Sequence, residues 1–361
     1  MIIRTIAITI GLFATGLTSA KELKPGFDKD EYRELTLIST RSAANPEYAK
    51  LFPEPASFKM LYQSAPLGLD NMWDLWQDDR GVTVASIRGT TKEANSWLAN
   101  IYAAMVPAKG KLQINGKTFD YQLANNPRAA VHVGWLLAST YLVDDMLPRI
   151  MKLYDEGSRD LILTGHSQGG AISYLITAMM YQAQKVGKFP ADMRIKTYGS
   201  AAPKPGNLYF AYEYEALTYG GWAFNVVNAA DWVPETPISI QTLNDFNTTN
   251  PFVNAGDVIK KQKTAKRIIL KHVYKKLSKP ALKAQKNYEK YLGKMTEKLI
   301  KENIPDFVSP QYYKSNHYVR AGTMIVLLPD KDYYLKYPDS ETNIFIHHFH
   351  QPYLDLLEKI N

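Results

Sequence analysis

Residues 160–180 read DLILTGHSQGGAISYLITAMM and change their hydrophobic pattern halfway along. The branched apolar residues at 161–163 form a run that is too short for a helix and is typical of a strand buried on both faces. After residue 170 the apolar residues recur at helical spacing. Ser167 lies at the change, between Gly165 and Gly169, and glycines leave room for close main chain because they lack Cβ atoms. The pattern therefore predicts a strand, a sharp turn that projects Ser167, and a helix, which is the arrangement of a nucleophilic serine.

A serine hydroxyl is a weak nucleophile at neutral pH. Ser167 would need a histidine to take its proton and a carboxylate to orient that histidine. Residues 223–228 form a strand-like run, and Asp231 follows it closely. Ligand sites in open α/β sheets lie at the carboxyl ends of strands, so Asp231 is the candidate acid. The alternative is a loop aspartate that caps a turn.

Seven histidines limit the choice of base. The late candidates are His317, His347, His348 and His350, and the last three lie within NIFIHHFHQPYLDLL, residues 343–357. This stretch connects the end of a strand or loop to a terminal helix. A histidine in such a connection is free to turn toward Ser167, and spacing alone leaves the choice within the cluster open.

The reaction also needs donors for the oxyanion that forms when a carbonyl is attacked. Preorganised N–H groups there lower the barrier by about 3 to 4 kcal/mol each. The backbone N–H of Gln168, directly after the serine, is one expected donor. The second is expected from the loop Arg88-Gly89-Thr90, which follows a strand-like run at residues 82–87. This chemistry requires no metal and no organic cofactor.

The chain of 361 residues is long enough for one large α/β domain with insertions, or for two domains. Residues 1–20 combine Arg4, a short apolar stretch and small residues before Ala20, which is typical of an export signal cut after Ala20. An uncleaved membrane anchor is the alternative. The sequence has no cysteine, which excludes disulfides and lipid attachment through a cysteine. We therefore expect a signal peptide at residues 1–20 and a single exported domain, periplasmic or secreted, at residues 21–361.

The net charge of +8 is concentrated in one segment. From Lys260 to Lys301 there are fifteen Lys or Arg and two Glu, so this segment carries +13 and the rest of the chain about −5. Apolar residues keep helical spacing on both sides of Ser278-Lys279-Pro280, which predicts a stop and a restart. The pattern predicts a basic helical hairpin inserted at about residues 256–303.

This basic segment has two interpretations. It is either a surface that contacts an anionic membrane or an ordinary solvated helix pair packed on the domain. Nucleic-acid binding is disfavoured because the segment has no recognisable nucleic-acid motif and the chain is predicted to be exported.

Six ordered pieces of the sequence resemble the class three lipase family, the serine lipases best known from fungal and plant acylglycerol hydrolases. The pieces are ASIRGTTKEANSWLANI (85–101), VHVGW (131–135), LTGHSQGG (163–170), KTYGSAAPKPGN (196–207), NVVNAADWVPETP (225–237) and HQPY (350–353). Single pieces are weak signals, but the ordered set is specific. The resemblance implies an α/β-hydrolase fold, with a mostly parallel central sheet flanked by helices.

The resemblance also implies roles for individual residues. Ser167 is the implied nucleophile and Asp231 the orienting acid. The family favours His350 as the base, because an aromatic residue, here Tyr353, often follows the family's catalytic histidine by three positions. His348 is the substitute for His350.

The resemblance implies roles for several further residues. Thr90 and Gln168 would supply the oxyanion hole. His317 is the third choice of base, because that position tends to be structural in the family, and His132 also matches a structural position. Residues 97–105 occupy the place of a helical lid, with a plain amphipathic surface helix as the alternative.

Together these features predict an exported serine lipase or esterase that cleaves carboxylic esters of acylglycerols at a lipid–water interface through an acyl-enzyme. Hydrolysis of anionic phospholipids, as by a phospholipase A1, is one alternative, and hydrolysis of short soluble esters is another. An alternative of a different class is a catalytically inactive lipid-binding protein of the cell envelope.

Overall fold

The computed structural model describes residues 22–43 and 45–360. The predicted signal peptide, residues 1–20, lies outside the described residues. Across the described part of the chain, no helix combines the length and the apolar character needed to cross a membrane.

The described residues form thirteen strands and eleven α-helices. The strands are β1 (Phe58–Gln63), β2 (Trp73–Asp78), β3 (Val82–Ile87), β4 (Met105–Pro107), β5 (Lys109–Ile114), β6 (Lys117–Gln122), β7 (Ala130–His132), β8 (Asp160–His166), β9 (Arg194–Ser200), β10 (Gly206–Asn207), β11 (Ala223–Asn228), β12 (Tyr318–Val319) and β13 (Thr323–Leu327). The helices are α1 (Lys29–Arg41), α2 (Pro46–Ala49), α3 (Ala94–Ile101), α4 (Val133–Asp155), α5 (Gln168–Lys185), α6 (Leu208–Leu217), α7 (Ala255–Lys260), α8 (Thr264–Glu289), α9 (Thr296–Asn303), α10 (Lys331–Lys336) and α11 (His350–Leu357).

Seven strands form the central sheet in the order β1-β2-β3-β8-β9-β11-β13. The pairs from β3 to β13 are parallel, and β1 and β2 join antiparallel at one edge. Every residue of β3, β8 and β11 is buried, because helices cover both faces of the sheet. One face packs on α4 and α5, and the other packs on α1 and α11. The carboxyl ends of β3, β8 and β11 therefore meet at one edge, where the candidate residues lie.

The basic segment does not form the predicted hairpin. Helix α8 runs without a break from Thr264 to Glu289, with Pro280 inside it, and a π-helical turn at Lys290–Met295 joins it to α9. The prediction of a stop and restart at Ser278-Lys279-Pro280 was wrong, since Ser278 Oγ instead donates to the carbonyl of Tyr274 one turn earlier at 2.7 Å. A proline in a helix removes one backbone hydrogen bond. The carbonyl that loses its donor is that of Lys276, and water can replace the bond because Lys276 is exposed.

Candidate active site

The turn between β8 and α5 holds Ser167 in a strained backbone conformation, with φ 63° and ψ −131°. A Cβ atom on Gly165 would lie 2.4 Å from the carbonyl carbon of Gly169, and one on Gly169 would lie 2.0 Å from the carbonyl oxygen of Ile87. Both distances are far too short for any side chain, so the two glycines are required for this turn. Ser167 immediately precedes the N-terminus of α5, whose free N–H groups favour negative charge.

Asp231 is buried just after β11, with 2 % of its surface exposed. Its Oδ2 accepts hydrogen bonds from His348 Nδ1 at 2.7 Å and from the Tyr353 hydroxyl at 2.7 Å. Its Oδ1 accepts the backbone N–H of Val233 at 3.0 Å. The carboxylate therefore fixes the proton of neutral His348 on Nδ1 and leaves the lone pair of Nε2 to accept a proton.

The structure contradicts the predicted pairing of Asp231 with His350. His350 Nε2 donates to Ser39 Oγ at 2.9 Å, because the Ser39 hydroxyl proton is already given to the carbonyl of Thr36 at 2.8 Å. His350 Nδ1 then accepts from the Tyr48 hydroxyl at 2.9 Å. Both ring nitrogens are occupied within the protein, and burial together with neighbouring His348 lowers the pKa of His350 to about 3.

The direction that each histidine faces from the segment before α11 determines which of the two pairs with Asp231. His350 begins α11 and faces α1, whereas His348 lies in the preceding turn and faces β11. Tyr353, the aromatic residue that favoured His350, itself donates to Asp231. His317 is not among the donors to Asp231 either.

His166, directly before the serine, stabilises the segment that carries His348. Its Nε2 donates to the backbone carbonyl of His348 at 2.7 Å. Its Nδ1 must then accept from Ser200 Oγ at 3.0 Å, and Ser200 in turn accepts from the Tyr32 hydroxyl at 2.7 Å. Burial and the neighbouring histidines hold the pKa of His166 well below its usual range. The sequence analysis did not single out His166, because its partner His348 lies 182 residues away along the chain.

Thr90 and Gln168 are linked by one amide that the sequence did not single out. Asn100 Nδ2 donates to Thr90 Oγ1 at 2.8 Å, and Asn100 Oδ1 accepts from Gln168 Nε2 at 2.9 Å and from Trp135 Nε1 at 3.0 Å. Asn100 thus holds the two residues of the predicted oxyanion hole in one network. Its presence in the family-like piece at residues 85–101 was the available signal.

The predicted lid segment corresponds to α3 and the residues after it. Trp97 and Ile101 are 40 % and 44 % exposed, whereas Tyr102 is fully buried. The carbonyl of Asn100 accepts from His132 Nε2 at 3.2 Å, so α3 is joined to the start of α4. The ring of His132 stacks on Trp135 with 3.7 Å between centroids, and burial lowers its pKa to about 3.

A cavity of about 740 Å³ opens at Ser167. Its wall includes Thr90, Gln168 and His348 beside the serine. Most of the remaining wall is apolar, and it includes Trp97, Ile101, Trp232, Leu292, Phe345 and Phe349. An apolar cavity with a few polar groups at one end is suited to a ligand with a long hydrocarbon part and one polar reacting group.

The family model of class 3 lipases matches residues 84–240, which include Ser167, Asp231, Thr90, Gln168 and Asn100. The match covers 157 of the 361 residues, so the similarity to class 3 lipases is shown for this part of the chain. The resemblance to this family that the sequence predicted is confirmed over these residues.

Three relatives illustrate the extent of this similarity. The secreted mono- and diacylglycerol lipase 3 of Gibberella zeae is 32 % identical over 157 residues, which is 44 % of this chain and 45 % of that protein. A lipase of Rhizopus niveus is 34 % identical over 111 residues, which is 30 % of this chain and 27 % of that protein. The chain thus spans less than half the length of these curated relatives. A solved structure, the native Rhizomucor miehei lipase propeptide complex, has 18 % identity and a TM-score of 0.44, and the match covers 59 % of this chain and 65 % of that one.

The chain has the α/β-hydrolase fold that the sequence predicted, with a mostly parallel sheet, a sharp turn at Ser167 and a match to class 3 lipases over residues 84–240. The class 3 lipase match ends at residue 240, well before His348 and His350. The family match therefore does not bear on which of these two histidines is the candidate base, and the contacts in the tertiary structure distinguish them.

Proposed function

We propose that this protein is a serine hydrolase of carboxylic esters, with Ser167 as nucleophile, His348 as base and Asp231 as the acid that orients the base. The observation that carries the proposal is the 2.7 Å hydrogen bond between the buried Asp231 carboxylate and His348 Nδ1, in a histidine that lines the same cavity as Ser167. His348 replaces His350, the base predicted from the sequence.

The proposed reaction proceeds through an acyl-enzyme. Ser167 Oγ attacks the ester carbonyl and gives its proton to His348 Nε2. The backbone N–H groups of Gln168 and Thr90 hold the resulting oxyanion. Collapse of this intermediate breaks the ester bond, and the departing alcohol takes the proton from His348. Water then attacks the acyl-enzyme and gives a proton to His348, which returns it to Ser167 as the free acid leaves.

For the substrate, we propose acylglycerols at a lipid–water interface. The apolar wall of the cavity supports an acyl chain, and one relative is described as a secreted mono- and diacylglycerol lipase. We also propose export through residues 1–20 and a single hydrolase domain over residues 21–361.

A second candidate is hydrolysis of anionic phospholipids, as by a phospholipase A1. It is favoured because Tyr288 and Leu292 line the cavity and belong to the same basic segment, Lys260 to Lys301, that we propose for peripheral contact with an anionic membrane. An inactive lipid-binding protein is disfavoured, since such a protein would have no need of the Asp231–His348 pair.

The proposed function can be tested with a fluorophosphonate probe on residues 21–361, followed by mass spectrometry of the labelled peptide. We expect the label on Ser167, and Ser167→Ala should fold normally while losing both labelling and ester turnover. Folded protein that stays unlabelled with and without detergent, or full ester turnover by Ser167→Ala, would refute the mechanism. Rates on triacylglycerol emulsions, anionic phospholipid vesicles and a short soluble ester would then separate the substrate classes.

A further inference from the structure

The first part of α8, residues 264–283, forms an exposed arm with an apolar stripe. Ile269, Val273 and Leu277 are spaced four residues apart, so they share one face of the helix. Their exposed fractions are 62 %, 46 % and 74 %. Gln285 is the one buried residue of α8. Such an exposed apolar stripe on a helix indicates a surface that contacts another apolar phase.

Lysines lie beside this stripe. At 100° per residue, Lys276 and Lys283 border the stripe, and Lys279 and Lys275 continue the same basic face. Helix α8 has eight basic residues and one acidic residue, and within the described part of the chain none of the eight forms a salt bridge. Two such arms would repel each other, so a second copy of this chain is a poor partner for the stripe.

Helix α8, the π-helical turn and α9 follow one another without a break and form one helical rod. The end of this rod that follows the arm is fixed to the body of the protein. The carbonyl of Leu292 accepts the N–H of Ala104 at 3.0 Å, and Glu297 accepts from the Tyr312 hydroxyl at 2.6 Å. Ile300 is fully buried. Leu292, together with Tyr288, also lines the cavity at Ser167. The exposed arm and one wall of the cavity therefore belong to one continuous rod.

We propose that the arm binds anionic lipid surfaces. The lysines would contact lipid phosphates, and the stripe of Ile269, Val273 and Leu277 would insert among the first carbons of the acyl chains. Because the rod continues into the wall of the cavity, this contact would place the mouth of the cavity against the surface. The proposal rests on the proposed function, since it concerns how that site reaches its lipid.

The binding test uses the full mature chain with Ser167→Ala, so that no lipid is consumed. Sedimentation with vesicles of phosphatidylcholine, with and without phosphatidylglycerol, measures the affinity. We expect tight, salt-sensitive binding only with phosphatidylglycerol. The combined variant Lys275→Gln, Lys276→Gln, Lys279→Gln and Lys283→Gln should weaken that binding about a thousandfold, because each lysine near an anionic surface contributes about 1 kcal/mol.

A matched control makes the same change of charge elsewhere on the surface. Lys109, Lys117, Lys185 and Lys188 are all exposed, and their replacement by Gln should leave vesicle affinity within about threefold. Replacement of the three stripe residues by Ser tests the apolar contribution, with the expectation that the remaining binding is lost at high salt. Circular dichroism should show folded protein in each case, because the altered side chains are exposed.

Two results would overturn the proposal. One is equal binding to both kinds of vesicle, and the other is equal binding by the arm variant and its control. Failure of the proposed function is recognised separately, because it would appear as loss of soluble-ester turnover in the chain that retains Ser167. In the active chain, we expect the arm variant to lose turnover on anionic vesicles and to keep its turnover of a short soluble ester.

Discussion

The substitutions His348→Gln and His350→Gln make the same chemical change at two neighbouring histidines with different contacts. Glutamine is similar in size and can form hydrogen bonds, but it cannot act as a general base near neutral pH. His348 is paired with buried Asp231, whereas His350 is paired with Ser39 and Tyr48. We therefore expect the first change to remove catalysis and the second to reduce stability.

For His348→Gln, the expected loss in kcat is about 10⁴-fold or more, because the proton of Ser167 would have no acceptor. The remaining rate would come from the oxyanion donors and from substrate binding. Stability should change little, since a glutamine amide can still donate to Asp231 Oδ2 in place of the ring N–H.

For His350→Gln, we expect the free energy of unfolding to decrease. The ring centroids of His350 and His166 lie 4.2 Å apart, and the two ring nitrogens of His350 form hydrogen bonds with Ser39 and Tyr48. A glutamine loses the ring contact and leaves one of these buried groups without a partner, which costs about 1–3 kcal/mol. Most domains have about 5–15 kcal/mol of stability, so the variant should still fold. Its kcat on a short soluble ester should stay within about tenfold of the parent.

Two measurements decide between these roles: turnover of a short soluble ester and the free energy of unfolding in urea. A His350→Gln variant that loses four orders of magnitude in kcat while its unfolding midpoint is unchanged would refute our assignment. Near-parental turnover by folded His348→Gln would refute it equally.

Two further predictions concern the contacts around the site. Asn100→Ala removes the amide that holds Thr90 and Gln168. We expect kcat to fall about ten- to a hundredfold with little change in KM. A purely structural role of Asn100 would instead lower the unfolding midpoint and leave kcat of the folded enzyme unchanged. Burial lowers the pKa values of His132 and His350 to about 3. Between about pH 6.5 and pH 3, the unfolded chain therefore binds protons that the folded chain excludes. The free energy of unfolding falls as the pH is lowered through this range. At pH 5 each histidine should cost on the order of 2 kcal/mol. Urea unfolding at pH 7.5 and pH 5 should therefore show a decline about 2 kcal/mol smaller in His350→Gln, and equal declines in variant and parent would contradict the buried neutral state.

The sequence by itself indicated the features that depend on neighbouring residues. The change from a strand-like run to helical spacing predicted the turn at Ser167, and the glycines at 165 and 169 are required there because carbonyl groups approach their Cα atoms. Asp231 was found because it follows a buried strand, and the structure places it at the carboxyl end of β11, as expected.

The tertiary structure decided the features that depend on contacts between distant parts of the chain. His348 and His350 are two residues apart, and the choice between them depends on Ser39, which is 311 residues from His350. Asn100 was overlooked because its partners lie 10 to 68 residues away. Ser278-Lys279-Pro280 was predicted to separate two helices because serine and proline favour a helix start locally, but the exposed helix α8 continues through these residues. Spacing along the chain determines backbone periodicity and turns, whereas the pairing of side chains is determined by which surfaces the fold brings together.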